Sequence, residues 1–357
     1  LTKSHIFEYN QPIRLESGRK LERFHLEYTT LGHLNTSKNN VIWIFHAFTA
    51  NSNPEDWWAG LVGDQKYFDP AHYFIICVNM PGSSYGSIGP LDINPITKTP
   101  YFHHFPLITT RDMIRCYEKL RVSLGIDKIY LGIGGSMGGQ QLLEWAAEYP
   151  NLFAHIIPIA TNAQHSPWGI AQNTSQRWAI EGDPTWKEST EISGLEGMKI
   201  ARSMALLSYR SYQTYDYSQK GFAEETELLP VDKQKFRASS YQHYQGEKLA
   251  KRFNAYSYYA LSQSMDAHDL GRGRGGTKVA LGLIQSKALV IGISSDILFP
   301  PNEQKYIADH IHDAQYVVID SLYGHDGFLL EFETIGYHIE EFLKNSSIQI
   351  TKEKNVY

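Results

Sequence analysis

The sequence predicts an α/β fold, a mostly parallel sheet flanked by helices. Three observations predict it. Short apolar runs at 41–46, 73–78, 128–133, 155–160, 288–293 and 316–320 read as buried strands. Segments with helical character, at 110–124 and 140–149, lie between some of these runs. A turn of small residues, Gly134-Gly135-Ser136-Met137-Gly138-Gly139, joins the strand at 128–133 to the helix that follows. Strands alternating with helices require crossover connections, and those give a parallel sheet covered on both faces.

The elements follow in order. Residues 22–32 alternate loosely between apolar and polar and read as a strand. The runs at 41–46 and 73–78 are fully apolar strands. Residues 81–100 are rich in Gly, Ser and Pro and read as a long loop, which in a compact domain points to function. Met113, Ile114, Tyr117, Leu120 and Leu124 recur at helical spacing. Pro150 stops the helix at 140–149. From about 166 to 284 the chain turns polar and helical, with Trp and Tyr interspersed. Strand character returns at 288–293 and 316–320, and 333–344 reads as a closing helix with a frayed charged tail from about 345. The organisation expected is a core domain of 1–165 and 285–357, interrupted by an inserted helical lid domain at 166–284.

Composition narrows the function. The 357 residues are 42% hydrophobic and 20% charged, which fits a soluble globular protein with an ample core. A net charge of −5 argues against a nucleic-acid partner. No apolar run approaches a membrane span, and the N-terminal stretch lacks the apolar segment of a signal peptide. Two cysteines, Cys77 and Cys116, make no disulfide framework and no zinc spacing. The expectation is a cytoplasmic protein with no metal and no bound cofactor.

The chemistry is concentrated at three places. Gly134-x-Ser136-x-Gly138 between strand and helix is the context of a nucleophile elbow. Ser136 is the candidate nucleophile, and the next backbone N–H, that of Met137, points at a developing oxyanion. A neutral hydroxyl needs a base. In this arrangement an acid and then a histidine follow the serine in sequence. Asp296 follows the strand at 288–293 and His325 follows that at 316–320, so both sit at strand ends where open parallel sheets bind ligands. His325 is the candidate general base and acid, and Asp296 the group that holds its imidazolium. Plainer readings stand beside these: Asp296 as the cap of the helix starting near Pro300, with Ser294 and Ser295 as rival caps, and His325 as a packed loop residue. A second oxyanion donor is expected from the loop after the strand at 41–46, and the backbone N–H of Phe48 is the candidate.

At these residues the chain resembles the homoserine O-acetyltransferase family. The resemblance rests on 134–144, on Ser295-Asp296 with Phe299-Pro300-Pro301, and on Tyr323-Gly324-His325-Asp326-Gly327-Phe328-Leu329. Residues 56–61, 92–95, 111–113 and 268–276 extend it, so that it covers about 5 to 343. It implies an α/β-hydrolase fold with a helical lid. It implies a ping-pong reaction in which the serine takes an acetyl group from acetyl-CoA and passes it to the hydroxyl of L-homoserine, for methionine synthesis. It carries over Arg202 as the group that grips the substrate carboxylate and Asp326 as the group that holds the amine. It also implies a homodimer through the lid helices. Phe48 and Ala50 depart from the family's Leu and Gly, and the 81–90 loop lacks a cysteine and a threonine common there. Succinyl-CoA as donor, serine as acceptor, and a serine esterase are the alternatives.

Two weaker signals complete the reading. Gly271-Arg272-Gly273-Arg274-Gly275-Gly276 suggests a lid hinge or a basic contact for a CoA phosphate rather than a dinucleotide loop. His103-His104 reads as structural, and Arg210 is a reserve candidate for the substrate carboxylate.

Overall fold

A computed structural model describes residues 2–223 and 226–354, the side chains of 346–354 excepted. Its strands are β1 (Lys3–Tyr9), β2 (Ile13–Arg14), β3 (Lys20–Leu21), β4 (Phe24–Leu31), β5 (Val41–Phe45), β6 (Phe74–Val78), β7 (Ile129–Gly135), β8 (Phe153–Ile159), β9 (Lys287–Ile293) and β10 (Ala314–Ile319). Among the described residues eight of these form one sheet in the order β1-β4-β6-β5-β7-β8-β9-β10, and β2 and β3 pair separately. From β6 to β10 the neighbours are parallel; β1 and β4 close the other edge antiparallel.

The helices are α1 (Thr110–Ser123), α2 (Met137–Glu148), α3 (Pro167–Glu181), α4 (Leu195–Tyr209), α5 (Tyr212–Ser218), α6 (Arg237–Ala250), α7 (Ala255–Asp266), α8 (Thr277–Gly282), α9 (Pro301–His310), α10 (Gly327–Leu330) and α11 (Phe332–Lys354). Those from α3 to α8 lie between β8 and β9 in the chain, where the sequence reads as polar and helical.

The central strands are apolar along their length because both faces are covered. Every residue of β5, Val-Ile-Trp-Ile-Phe, is buried. Trp43 and Phe45 point to one face, where Tyr117 of α1 and Trp145 of α2 pack. The Trp43 and Trp145 rings meet edge to face at 4.9 Å, and truncating either to Ala costs about 3–5 kcal/mol. Ile42 and Ile44 point to the other face, against the cluster that holds Ile335, Ile339 and Phe342 of α11. A capping box starts α1: the Thr109 hydroxyl accepts from the Asp112 N–H, and the Asp112 carboxylate accepts from the Thr109 N–H.

Three features differ from the sequence reading. β1 is a strand that residue pattern alone does not reveal, because Lys-Ser-His-Ile-Phe-Glu-Tyr is half exposed at the sheet edge. The closing helix runs on to Lys354 rather than ending near 344, since no Gly or Pro lies between 345 and 354 to stop it. Residues 355–357 of the tail lie outside the described residues. The Arg-Gly segment does not reach the Ser136 cavity. Arg272 pairs with Glu16 at 2.9 Å, and Arg274 pairs with Glu144 at 2.7 Å and Glu148 at 2.5 Å. Arg111 joins the same Glu16 and Glu144, so the segment ties α1, α2 and the N-terminal loop together.

Candidate active site

The turn between β7 and α2 is built by steric exclusion. A Cβ on Gly134 would lie 2.6 Å from the Gly138 carbonyl carbon, and one on Gly138 would lie 2.2 Å from the Phe45 carbonyl oxygen. Only glycine allows this approach. Ser136, between them, has φ 57° and ψ −127°, a strained conformation for a residue with a side chain. Its backbone is held on both sides. The Ser136 N–H donates to Ile159 O at 3.0 Å. Its carbonyl accepts from the Thr161 hydroxyl at 2.7 Å and from the Gly139 N–H at 3.0 Å.

Asp296 follows β9 and is buried. Its Oδ1 accepts from the N–H groups of Leu298 at 2.8 Å and Phe299 at 2.9 Å. Its Oδ2 accepts from His325 Nδ1 at 2.7 Å. Asp296 is therefore not the cap of α9: one carboxylate oxygen closes the turn that precedes that helix, and the other meets His325. The α9 N-cap is Pro300, without a side-chain bond. Ser295 is not a helix cap: its hydroxyl donates to Ser321 O at 2.6 Å and accepts from the Gly324 N–H at 2.9 Å, joining the loop of Asp296 to the loop of His325. Ser294 bonds the Asp320 carboxylate instead, at 2.9 Å.

His325 lies in a short 3-10 turn, Gly324–Asp326, and is buried. Phe299 stacks on its ring at 5.1 Å and Phe328 closes from another side at 5.2 Å. Ser136 and His325 line one cavity of about 440 Å³. No hydrogen bond joins the Ser136 hydroxyl to His325 among the described residues; such bonds commonly tighten only when substrate is bound. With Nδ1 committed to Asp296, the nitrogen left for the serine is Nε2.

Phe48 lines the same cavity. Among the described residues neither the Phe48 N–H nor the Met137 N–H has a hydrogen-bond partner, so both are open donors. The Phe48 ring is fixed against Tyr258 at 4.7 Å. Arg202 and Tyr209 of α4 also line the cavity, with the guanidinium 5.3 Å from the Tyr209 ring centre. Asp326 is there too, and its Oδ2 accepts from Arg210 Nε at 2.7 Å. Arg210 is thus committed to Asp326 and does not stand among the residues of the cavity.

Sequence reasoning did not find Lys248 and Arg252, which reach the cavity from the end of α6 and the turn after it. Arg252 also donates to Thr49 O at 2.5 Å and to the Tyr85 hydroxyl. Nothing in their local sequence marks them; they are brought in by the packing of α6. Glu303 of α9 accepts from Asn162 Nδ2 at 3.0 Å, and burial, with the Asp296 charge nearby, pushes its pKa up to about 7. His103 is structural: its ring meets Trp186 edge-on at 4.4 Å and its Nε2 bonds Trp186 O at 2.8 Å. Among the described residues no cluster of three or more His, Cys, Asp or Glu could hold a metal.

A strained serine at a strand-to-helix turn, with an Asp–His pair at two later strand ends, defines an α/β hydrolase. The family model described as alpha/beta hydrolase fold matches residues 40–332. Homoserine O-acetyltransferase from Cyclobacterium marinum is 48% identical over 337 residues, spanning 94% of each chain. The crystal structure of homoserine O-acetyltransferase from Bacillus anthracis superposes with a TM-score of 0.88 at 25% identity, covering 96% of this chain and 98% of that one. An acetylester hydrolase from Corynebacterium glutamicum shares the fold, with a TM-score of 0.84 at 22% identity over 96% of both chains. The chain belongs to the homoserine O-acetyltransferase family.

Proposed function

We propose that this chain transfers the acetyl group of acetyl-CoA to the hydroxyl of L-homoserine, giving O-acetyl-L-homoserine and CoA, as a step of methionine biosynthesis. The observation that carries this reading is one cavity holding Ser136, His325, a cation and an anion, Arg202 and Asp326. An esterase needs only the first two. An amino-acid acceptor needs the others as well, because a zwitterion must lose its water to one charge of each sign.

The reaction runs in two halves. His325 Nε2 takes the Ser136 proton as Oγ attacks the thioester carbonyl. The N–H groups of Phe48 and Met137 receive the oxyanion, and such a donor is worth about 3 kcal/mol of barrier. The C–S bond breaks, and His325 returns the proton to the departing CoA sulfur. Asp296 holds the imidazolium throughout. Homoserine then enters, with its carboxylate on Arg202 and its amine on Asp326. His325 takes the hydroxyl proton, the new C–O bond forms, and Ser136 leaves with the proton. Three cations line the cavity, Arg202, Lys248 and Arg252, against two carboxylates, Asp56 and Asp326, which suits a polyanionic acyl donor.

The division into a core of 1–165 and 285–357 and a lid of 166–284 belongs to this proposal, as do a cytoplasmic setting and a homodimer. No helix among the described residues is long and apolar enough to cross a membrane. Ile200 and Leu207 of α4, Tyr212 of α5 and Tyr244 of α6 are exposed, and they support pairing through the lid helices.

The likeness to an acetylester hydrolase favours one rival, acyl transfer to water. The test is release of free CoA from acetyl-CoA, and separately from succinyl-CoA, with and without L-homoserine, with the product mass determined. Homoserine-dependent release with acetyl-homoserine formed is the expected result. Release indifferent to homoserine would overturn the transferase reading.

A further inference from the structure

We infer that His46 is a positioning residue for the oxyanion hole, holding the Ala47–Phe48 peptide so that the Phe48 N–H stays aimed at the acyl carbonyl. The inference rests on the proposed role of that N–H as an oxyanion donor.

His46 follows β5 directly and has no exposed surface. It is not among the residues of the Ser136 cavity, so it acts through a neighbour. Its Nδ1 lies 2.9 Å from Ala47 O, and its Nε2 lies 3.0 Å from the Met80 nitrogen. A carbonyl oxygen only accepts, so Nδ1 carries the proton. A backbone N–H only donates, so Nε2 carries none. These two bonds select one neutral tautomer. Burial lowers the imidazole pKa to about 4, so that tautomer persists at neutral pH.

The Ala47 carbonyl and the Phe48 N–H are opposite ends of one planar peptide group. Gripping the carbonyl therefore sets the direction of the N–H. The carbonyl takes a second bond from the Ala50 N–H at 3.0 Å. Two donors on the oxygen fix the plane and leave the N–H as the free end beside the cavity. They also polarise the peptide, which strengthens its N–H as a donor. The other oxyanion segment is tied to the same network. Gln141 Nε2 donates to Met137 O at 3.1 Å and reaches His46 O at 3.5 Å, while its Oε1 accepts from the Tyr117 hydroxyl at 2.8 Å.

The test separates the two ring nitrogens. In His46→Asn the amide nitrogen can take the place of Nδ1 and keep the bond to Ala47 O. In His46→Gln the side-chain amide takes the place of Nε2, keeping Met80 and losing Ala47. Both are assayed with p-nitrophenyl acetate as well as acetyl-CoA, so that an acetyl-CoA reading that fails leaves this test standing. The expected result is a loss of about tenfold or more in kcat for Gln with little change in KM, and near-normal kcat for Asn. A folded Gln variant with wild-type kcat, or equal losses in both variants, would overturn the inference. A wild-type measurement covers the case of misfolded variants. In 15N-histidine spectra His46 is expected as the Nδ1–H tautomer, its proton shifting when a boronic acid adds to Ser136. The other tautomer, or no shift, would contradict the role.

Discussion

Asp296 Oδ2 lies 2.7 Å from His325 Nδ1, and both side chains are buried. The carboxylate is already fixed by two backbone N–H groups on its other oxygen, so it presents a rigid acceptor to the ring. That geometry permits one tautomer, with the proton on Nδ1 and a free lone pair on Nε2. Asp296→Asn should keep the fold, because an amide oxygen still accepts from Leu298 and Phe299. It should lower kcat by about 10³–10⁴, since the amide favours the wrong tautomer. Steady-state kinetics beside a thermal melt checks this; a fall in kcat with a matching loss of fold would assign Asp296 to structure alone.

The acceptor end of the cavity gives a second prediction. Arg202→Ala should raise KM for L-homoserine by about ten- to hundredfold and leave KM for acetyl-CoA within a few-fold, the size of a lost charge-assisted bond. Asp326→Asn should act on the same KM, and it also releases Arg210 from its 2.7 Å pair. Equal effects on both substrates would remove these assignments.

How much of this was legible in the sequence differs from part to part. The nucleophile turn was readable because its cause is local. Gly134, Ser136 and Gly138 lie within five consecutive residues, and an apolar strand precedes them. Asp296 and His325 were readable as strand-end residues, but their contact spans 29 positions and only the fold brings it about. The partners of the Arg-Gly segment were not readable. Arg272 meets Glu16 across 256 positions, and no pattern near either residue signals it. Lys248 and Arg252 stayed hidden for the same reason. β1 is hidden because its more buried positions are His5, Phe7 and Tyr9 while Ile6 between them is exposed, so the residue types do not follow the alternation in burial.

Lys248 and Arg252 lead to a third prediction. Replacing either by Ala should raise KM for acetyl-CoA by about two- to fivefold, and added salt should shrink the difference. The KM for p-nitrophenyl acetate, which carries no phosphate, should not move. Kinetics at two ionic strengths checks this, and a parallel rise for both donors would count against an electrostatic role.

Glu303 gives a prediction in pH. Its pKa is raised from 4.5 to about 7 by burial, so the folded state holds the proton more tightly than the unfolded chain. The stability this contributes is fully present below pH 4.5 and is lost as pH rises through about 7. Glu303→Gln removes the titration. The variant should gain about 1–2 kcal/mol relative to wild type between pH 5 and pH 8, after allowance for partial solvent screening. Urea unfolding of both proteins at the two pH values measures it. A constant difference would show that Glu303 is not protonated in the folded state near neutrality.

The most direct measurement is the intact mass of the protein mixed with acetyl-CoA alone, followed by addition of L-homoserine. One acetyl group should appear on Ser136, persist in water, and leave within the turnover time once homoserine is added. Ser136→Ala should take up none. An acetyl group carried by the Ser136→Ala protein at a kinetically competent rate, or one discharged as fast by water as by homoserine, would contradict acyl transfer through this serine.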